Sequence, residues 1–165
     1  MSISKRDNYW YEQALMLARS SICKFTHGAI IVHKGKPIAY GVNIPCFRSV
    51  REFTSGVPRD IHAENRRRRN ETTHAEVRAL LNSPRGKLEG SILYSARFTK
   101  RNTEGPSCPC ISCKQIIFAA ARYPGKGIKA VVYFDGNALV KISPEELYYG
   151  QKSKKYHNTD HCMLF

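Results

Sequence analysis

Ile128-Lys129-Ala130-Val131-Val132-Tyr133-Phe134-Asp135-Gly136-Asn137-Ala138-Leu139-Val140-Lys141-Ile142 is two apolar runs divided by Asp-Gly-Asn. Asp-Gly between apolar runs is a strong hairpin signal. A parallel pairing would need a crossover of a dozen or more residues, and none fits here. The last two strands are therefore expected to be antiparallel.

Upstream of this hairpin, Cys110 to Ala121 reads as a helix rich in Ile and Ala, and Ser91 to Ala96 reads as a strand. Nearer the start, 27–33 and 36–42 form a second predicted hairpin with Lys34-Gly35 as its turn. Asn43 stands just past it, where a polar group can enter a site. Residues 9–19 read as a helix, with Trp10, Ala14, Leu17 and Ala18 at helical spacing and Asp7 or Asn8 as its cap. Strands and helices mixed in this order predict one α/β domain over 1–165.

Two stretches fall outside the regular pattern. Residues 44–73 hold Arg48, Arg51, Arg59 and the run Arg66-Arg67-Arg68-Arg69, with Pro45, Gly56 and Pro58. They read as a long loop carrying one helical turn, and long irregular loops in compact domains are often functional. The Arg run is either a phosphate contact or a solvated face. Residues 147–165 read as a polar, basic tail with Lys152, Lys154 and Lys155.

The chemistry lies in His74-Ala75-Glu76 and Pro109-Cys110-Ile111-Ser112-Cys113. Read as H-x-E and P-C-x-x-C, they match the signature of zinc nucleobase deaminases. A catalytic zinc takes three protein ligands in a tetrahedron and leaves the fourth position to water. His74, Cys110 and Cys113 make three. Water at such a site ionises near pH 7, and Glu76 is the group placed to carry its protons to a leaving amine. Both thiols fall in the first turn of the predicted helix, where the helix N-terminus favours anions.

Other readings of these residues stand beside this one. Thr73-x-x-Glu76 also fits a capping box, which would make Glu76 a cap. Cys108 could add a third thiolate and close the site into a structural Cys3His centre, turning the chain into a zinc-stabilised nucleic-acid-binding module without catalysis. His157 and His161 have finger-like spacing, but the 43 residues between Cys113 and His157 far exceed the roughly 12 to 15 of a small finger. A second His-Ala-Glu occurs at His62-Ala63-Glu64. It leads into Asn65 and four arginines, whose unpaired burial would be costly, whereas His74 leads into Val77, Ala79, Leu80 and Leu81. The reading therefore takes His74.

Charge bears on the substrate. Lys and Arg number 27 against 13 Asp and Glu, a net +14 with pI near 9.7. A free nucleotide needs few basic groups, whereas binding to a phosphate polymer grows with each phosphate neutralised. Cytosine in single-stranded DNA or RNA is the favoured substrate on this basis, with a free nucleoside or nucleotide such as cytidine or dCMP as the alternative. The motif alone also permits adenine. Phe25, Phe47 and Phe98, in predicted loops, are candidates to stack on bases. No run of about 18 apolar residues suggests a membrane partner. The start lacks a signal-peptide core, and six cysteines without one favour thiols and metal over disulfides. The expectation is an intracellular protein, cytoplasmic or nuclear.

From the first hairpin to Ile142 the element order resembles the cytidine deaminase superfamily. The matching residues are His27-Gly28-Ala29-Ile30-Ile31-Val32, Ala39-Tyr40-Gly41-Val42-Asn43, the two zinc motifs, and Ile128 to Tyr133. The resemblance implies a five-stranded mixed sheet flanked by helices, with zinc on His74, Cys110 and Cys113 and proton transfer by Glu76. It further implies that Asn43 contacts the sugar and that the Ala75 amide bonds the base carbonyl. Several branches of the superfamily place a helix before the last strand. Asp135-Gly136-Asn137 makes this chain look more like the free cytidine deaminases and the bacterial toxin and viral deaminases. Cys108, the Arg-rich insertion and the second His-Ala-Glu depart from the family pattern.

Overall fold

The computed structural model describes residues 1–23, 25–45, 72–84, 86–99, 101, 103–122 and 127–150. Its elements are α1 (Lys5–Ala18), β1 (Thr26–His33), β2 (Lys36–Val42), β3 (Ile44–Pro45), β4 (Thr72–Thr73), α2 (Ala75–Leu81), β5 (Ser91–Phe98), α3 (Ile111–Arg122), β6 (Ile128–Phe134), β7 (Leu139–Ile142) and α4 (Pro144–Tyr149).

Five strands form one mixed sheet in the order β2-β1-β5-β6-β7. β1 pairs antiparallel with both β2 and β5. β5 and β6 are parallel, joined through α3, which gives the crossover that a parallel pair requires. β6 and β7 are antiparallel, from Val131↔Ile142 to Phe134↔Leu139. The Asp135 carboxylate accepts the Asn137 and Ala138 N–H groups at 2.8 and 3.0 Å, and Gly136 takes φ 110. The Asp-Gly signal is therefore a local one, satisfied within the turn itself. The first hairpin turns as expected on Lys34 and Gly35, both at positive φ.

Helices cover both faces of the sheet. β1, β5 and β6 accordingly read as nearly continuous buried runs, while edge strand β7 is half-buried throughout. One face holds α1, with Tyr11 and Ala14 packed on Ile30, Val32, Tyr94, Ala96 and Val132. The other holds α2, α3 and α4, with Ala75, Val77, Ala79, Cys113, Ile117 and Leu147 packed on Ala29, Ile31, Leu93, Val131 and Tyr133. Two glycines let the helices approach. A Cβ on Gly28 would lie 2.3 Å from the Ala14 carbonyl oxygen of α1, and one on Gly41 would lie 2.1 Å from the Ala75 carbonyl oxygen of α2.

Three expectations need correction. α1 starts at Lys5 and is capped by Ser4, with Asp7 completing the capping box as the third helical residue. Asp7 then turns inward and accepts from Tyr94 Oη at 2.9 Å and Lys141 Nζ at 2.9 and 3.0 Å, so the buried stripe is Asp7, Tyr11, Ala14 and Ala18. Trp10 and Leu17 are only half-buried. The segment read as a tail from 147 instead begins inside α4, which Ser143 and Glu146 cap and whose Leu147 is fully buried. Six residues are too few for periodicity to register, although Ser-Pro-Glu-Glu is itself a capping signature. Finally, the ends of the 44–73 insertion are strand. Ile44 pairs with Thr73 and Pro45 with Thr72. Phe47, Arg48, Arg51, Arg59, His62-Ala63-Glu64, Arg66 to Arg69, His157 and His161 lie outside the described residues.

Candidate active site

The site forms where the start of α2 meets the start of α3 on one face of the sheet. Val42 and Ile44 flank Asn43, and β4 then leads directly into α2. His74 occupies the N-cap position of α2 in extended conformation and makes no side-chain cap hydrogen bond. Thr73 belongs to β4, so the capping-box reading of Thr73 and Glu76 does not hold.

The Nδ1 atom of His74 lies 3.4 Å from Cys110 Sγ and 3.2 Å from Cys113 Sγ. All three ligand atoms fall within 4.8 Å of one another. Sulfur at about 2.3 Å and nitrogen at about 2.0 Å from a tetrahedral zinc stand about 3.5 Å apart. The donor set and its spacing fit zinc. Cys110 immediately precedes α3 and Cys113 is its third residue, so the i, i+3 spacing turns both thiols the same way. The Cys113 N–H donates to Cys110 Sγ at 3.5 Å. Cys108 stays out of this group. Its thiol donates to the Pro109 carbonyl at 3.7 Å and packs against the core, so the closed Cys3His centre does not form.

Glu76, in the first turn of α2, is 2 % exposed. Oε1 accepts from Ser95 Oγ at 3.1 Å, and Oε2 lies 3.9 Å from Cys113 Sγ. The carboxylate stands beside the thiols without joining the ligand group. Burial, the largest influence, pushes its carboxyl above the ordinary 4.5. A buried carboxyl primed to hold a proton suits general acid–base work. Ser95 is in turn held in place, since its carbonyl accepts from Ser107 Oγ at 2.7 Å.

These residues match a known family. Residues 4–134 fit the family model for the cytidine and deoxycytidylate deaminase zinc-binding region. The chain belongs to that family. This deaminase is a zinc-dependent, cytidine-type enzyme, and His74, Cys110 and Cys113 stand close enough together to hold a metal ion. Among solved structures, the cytidine deaminase from Burkholderia pseudomallei is similar in fold, with 17 % identity over 88 % of this chain and 96 % of that one and a TM-score of 0.54. The dCMP deaminase from cyanophage S-TIM5 is also similar, with 22 % identity over 79 % of this chain and 82 % of that one and a TM-score of 0.47. A search of curated proteins gives no match.

The sequence singles out further residues of this deaminase. Ala75 is fully buried at the first position of α2, where a helical N–H has no partner within its own helix. Asn43 is buried and its amide is largely committed. Oδ1 accepts the His27 N–H at 2.7 Å and Ser21 Oγ at 2.6 Å, and Nδ2 donates to the Phe25 carbonyl at 2.6 Å. Phe25 is 38 % exposed on the loop before β1. Phe98 is not a loop residue. It ends β5, is 7 % exposed, and carries the Arg19 guanidinium 4.8 Å from its ring centroid. Strand alternation puts it with Tyr94 and Ala96 on the α1 face, away from the zinc ligands.

The structure adds residues that the motifs did not reveal. His27 stacks on His74 with ring centroids 6.4 Å apart. Burial, helped by the charges of Arg97 and His74, lowers its pKa to about 3, so this ring stays neutral. Ser95 and His27 lie in strands whose apolar pattern hid them. Only strand alternation counted from Leu93 and Ile31 could have turned them toward the site. No helix among the described residues is long and apolar enough to cross a membrane.

Proposed function

We propose that the chain acts as a single deaminase domain converting cytosine to uracil and ammonia in a free cytidine- or deoxycytidylate-type substrate. The observation that carries this reading is Glu76, buried and held by Ser95 beside a Cys2His donor set that it does not join. The matched family supports a free nucleoside or nucleotide over the polymer that charge alone favours.

His74, Cys110 and Cys113 would hold zinc, which when bound would lower the pKa of the attacking water. Glu76 takes a proton from the attacking water and gives it to N3 of the base. The water oxygen bonds to C4, Glu76 passes the proton of the resulting C4 hydroxyl to the exocyclic amine, and the C4–N bond breaks to release ammonia and leave the C4 carbonyl of uracil. Ser95 fixes one carboxylate oxygen, leaving the other toward the thiols to work on the substrate. The Ala75 amide holds the base carbonyl. Asn43 retains one uncommitted amide proton, so it meets the sugar as a donor only.

Ammonia release from cytidine, CMP and dCMP, measured beside uracil mapping on single-stranded DNA and RNA, tests the proposal. Turnover of a free monomer is expected. Activity confined to polymer would replace it with the second reading, deamination of cytosine in single-stranded nucleic acid. The +14 charge and Arg66 to Arg69 favour that second reading. If those arginines hold phosphates, a four-Gln variant binds oligonucleotide more weakly, and its salt slope falls by about 0.7 for each phosphate it no longer neutralises. An unchanged affinity and slope would mark the run as a solvated face.

A further inference from the structure

β5 carries a cation that this chemistry does not use. Arg97 pairs across the strands with His27, and alternation puts its side chain on the same sheet face as Ser95, which holds Glu76. His27 stacks on His74, so the order outward from the metal ligands is His74, His27, Arg97. The Arg97 guanidinium lies over the Phe25 ring, 4.9 Å from its centroid. Its Nε is buried without a hydrogen-bond partner, and no carboxylate pairs with it among the described residues.

Buried donors are normally satisfied, and each that is not invites an explanation. Here the guanidinium is oriented by an aromatic ring, lacks an acidic partner, and stands one side chain outward from a site built for a base. A planar fork of donors in such a setting suits a phosphate. The imidazole of His27 cannot serve as the anion. We infer that Arg97, seated on Phe25, binds the phosphate carried by the sugar of the target cytosine, so the enzyme selects nucleotide over nucleoside. The inference rests on the deaminase reading above and names the substrate class within it.

The test compares wild type with Arg97→Met. Ammonia release is measured on deoxycytidine, on dCMP and on a single-stranded oligonucleotide with one cytosine. Calorimetry on the Glu76→Gln background gives the affinities for dCMP and deoxycytidine without turnover. The wild type is expected to prefer dCMP, and Arg97→Met to reduce the dCMP-to-deoxycytidine ratio of kcat/KM about 10- to 100-fold, chiefly through KM. Arg97→Lys should restore part of that ratio. A selective loss on dCMP assigns the subsite to a free nucleotide. A selective loss on the oligonucleotide alone assigns it to a polymer phosphate. A ratio unmoved by Arg97→Met, or a wild type that prefers deoxycytidine, overturns the inference. If no substrate is turned over but dCMP binds through Arg97, the catalytic reading fails and the phosphate subsite stands.

Discussion

Gly28 and Gly41 offer a test of how the fold holds the site, because they let different helices approach opposite faces of the sheet. A Cβ on Gly41 would meet the Ala75 carbonyl oxygen at 2.1 Å and the Ala79 nitrogen at 2.5 Å, whereas ordinary contact begins at 3.4 Å. Both atoms are backbone, so no side chain can swing aside. Gly41→Ala therefore forces α2 outward, carrying His74 and Glu76 away from Cys110 and Cys113. Overpacking of this kind costs about 1–3 kcal/mol. Misplacing catalytic groups by about 1 Å costs on the order of 10²-fold in rate. Gly28→Ala makes a similar clash, 2.3 Å from the Ala14 carbonyl oxygen, but against α1. It should cost comparable stability while leaving the zinc ligands in register. The assays are thermal melting, zinc per chain by elemental analysis, and kcat per bound zinc. The reasoning fails if folded Gly41→Ala keeps full zinc and full kcat. It also fails if Gly28→Ala loses as much zinc as Gly41→Ala.

Glu76→Gln should still fold and bind zinc, with kcat reduced about 10²- to 10⁴-fold in an ammonia-release assay. Cys110→Ala and Cys113→Ala should each lose zinc on dialysis against a mild chelator, while Cys108→Ala retains it, since Cys108 stands outside the ligand group. Asp7→Asn should destabilise the protein by about 3 kcal/mol in urea unfolding at pH 7, because it removes the charge that partners Lys141 and puts an NH2 donor in place of one of the two oxygens that accept from Ser4, Tyr94 and Lys141. Burial alone would raise the Asp7 carboxyl, but bonds from Ser4, Lys141 and Tyr94 outweigh it and hold it below its ordinary 3.8. The stability it contributes is therefore complete above about pH 4 and is lost as pH falls through the lower folded value. The gap between wild type and Asp7→Asn should narrow in acid melts.

Much of this architecture is written in short-range signals. Asp135-Gly136 closes its turn with bonds to the Asp135 carboxylate, so the antiparallel β6–β7 pairing follows from a few adjacent residues. Lys34-Gly35 sets the first hairpin in the same way. The residues that gather as a candidate metal site were legible because each motif is local. Cys110 and Cys113 share one helical turn, and His74 and Glu76 share another. Asp7 misled for a related reason. As a polar residue near a helix start it reads as a cap, and only its long-range bonds to Tyr94 and Lys141 show that it is the inward partner of the Ser4 capping box.

By itself the sequence determined what depends on neighbours along the chain: the turns, the strand and helix types, and which side chains have the chemistry to hold zinc and move protons. Tertiary structure decided what depends on distance across the sheet. It brought His74 of one segment to Cys110 and Cys113 of another, left Cys108 outside, and turned Phe98 to the far face. It also aligned Ser95, His27 and Arg97 on the side that faces the site. The physical reason is strand alternation. A one-residue change in register reverses the face of every side chain in a strand, and register is set by pairing with partners far away in sequence.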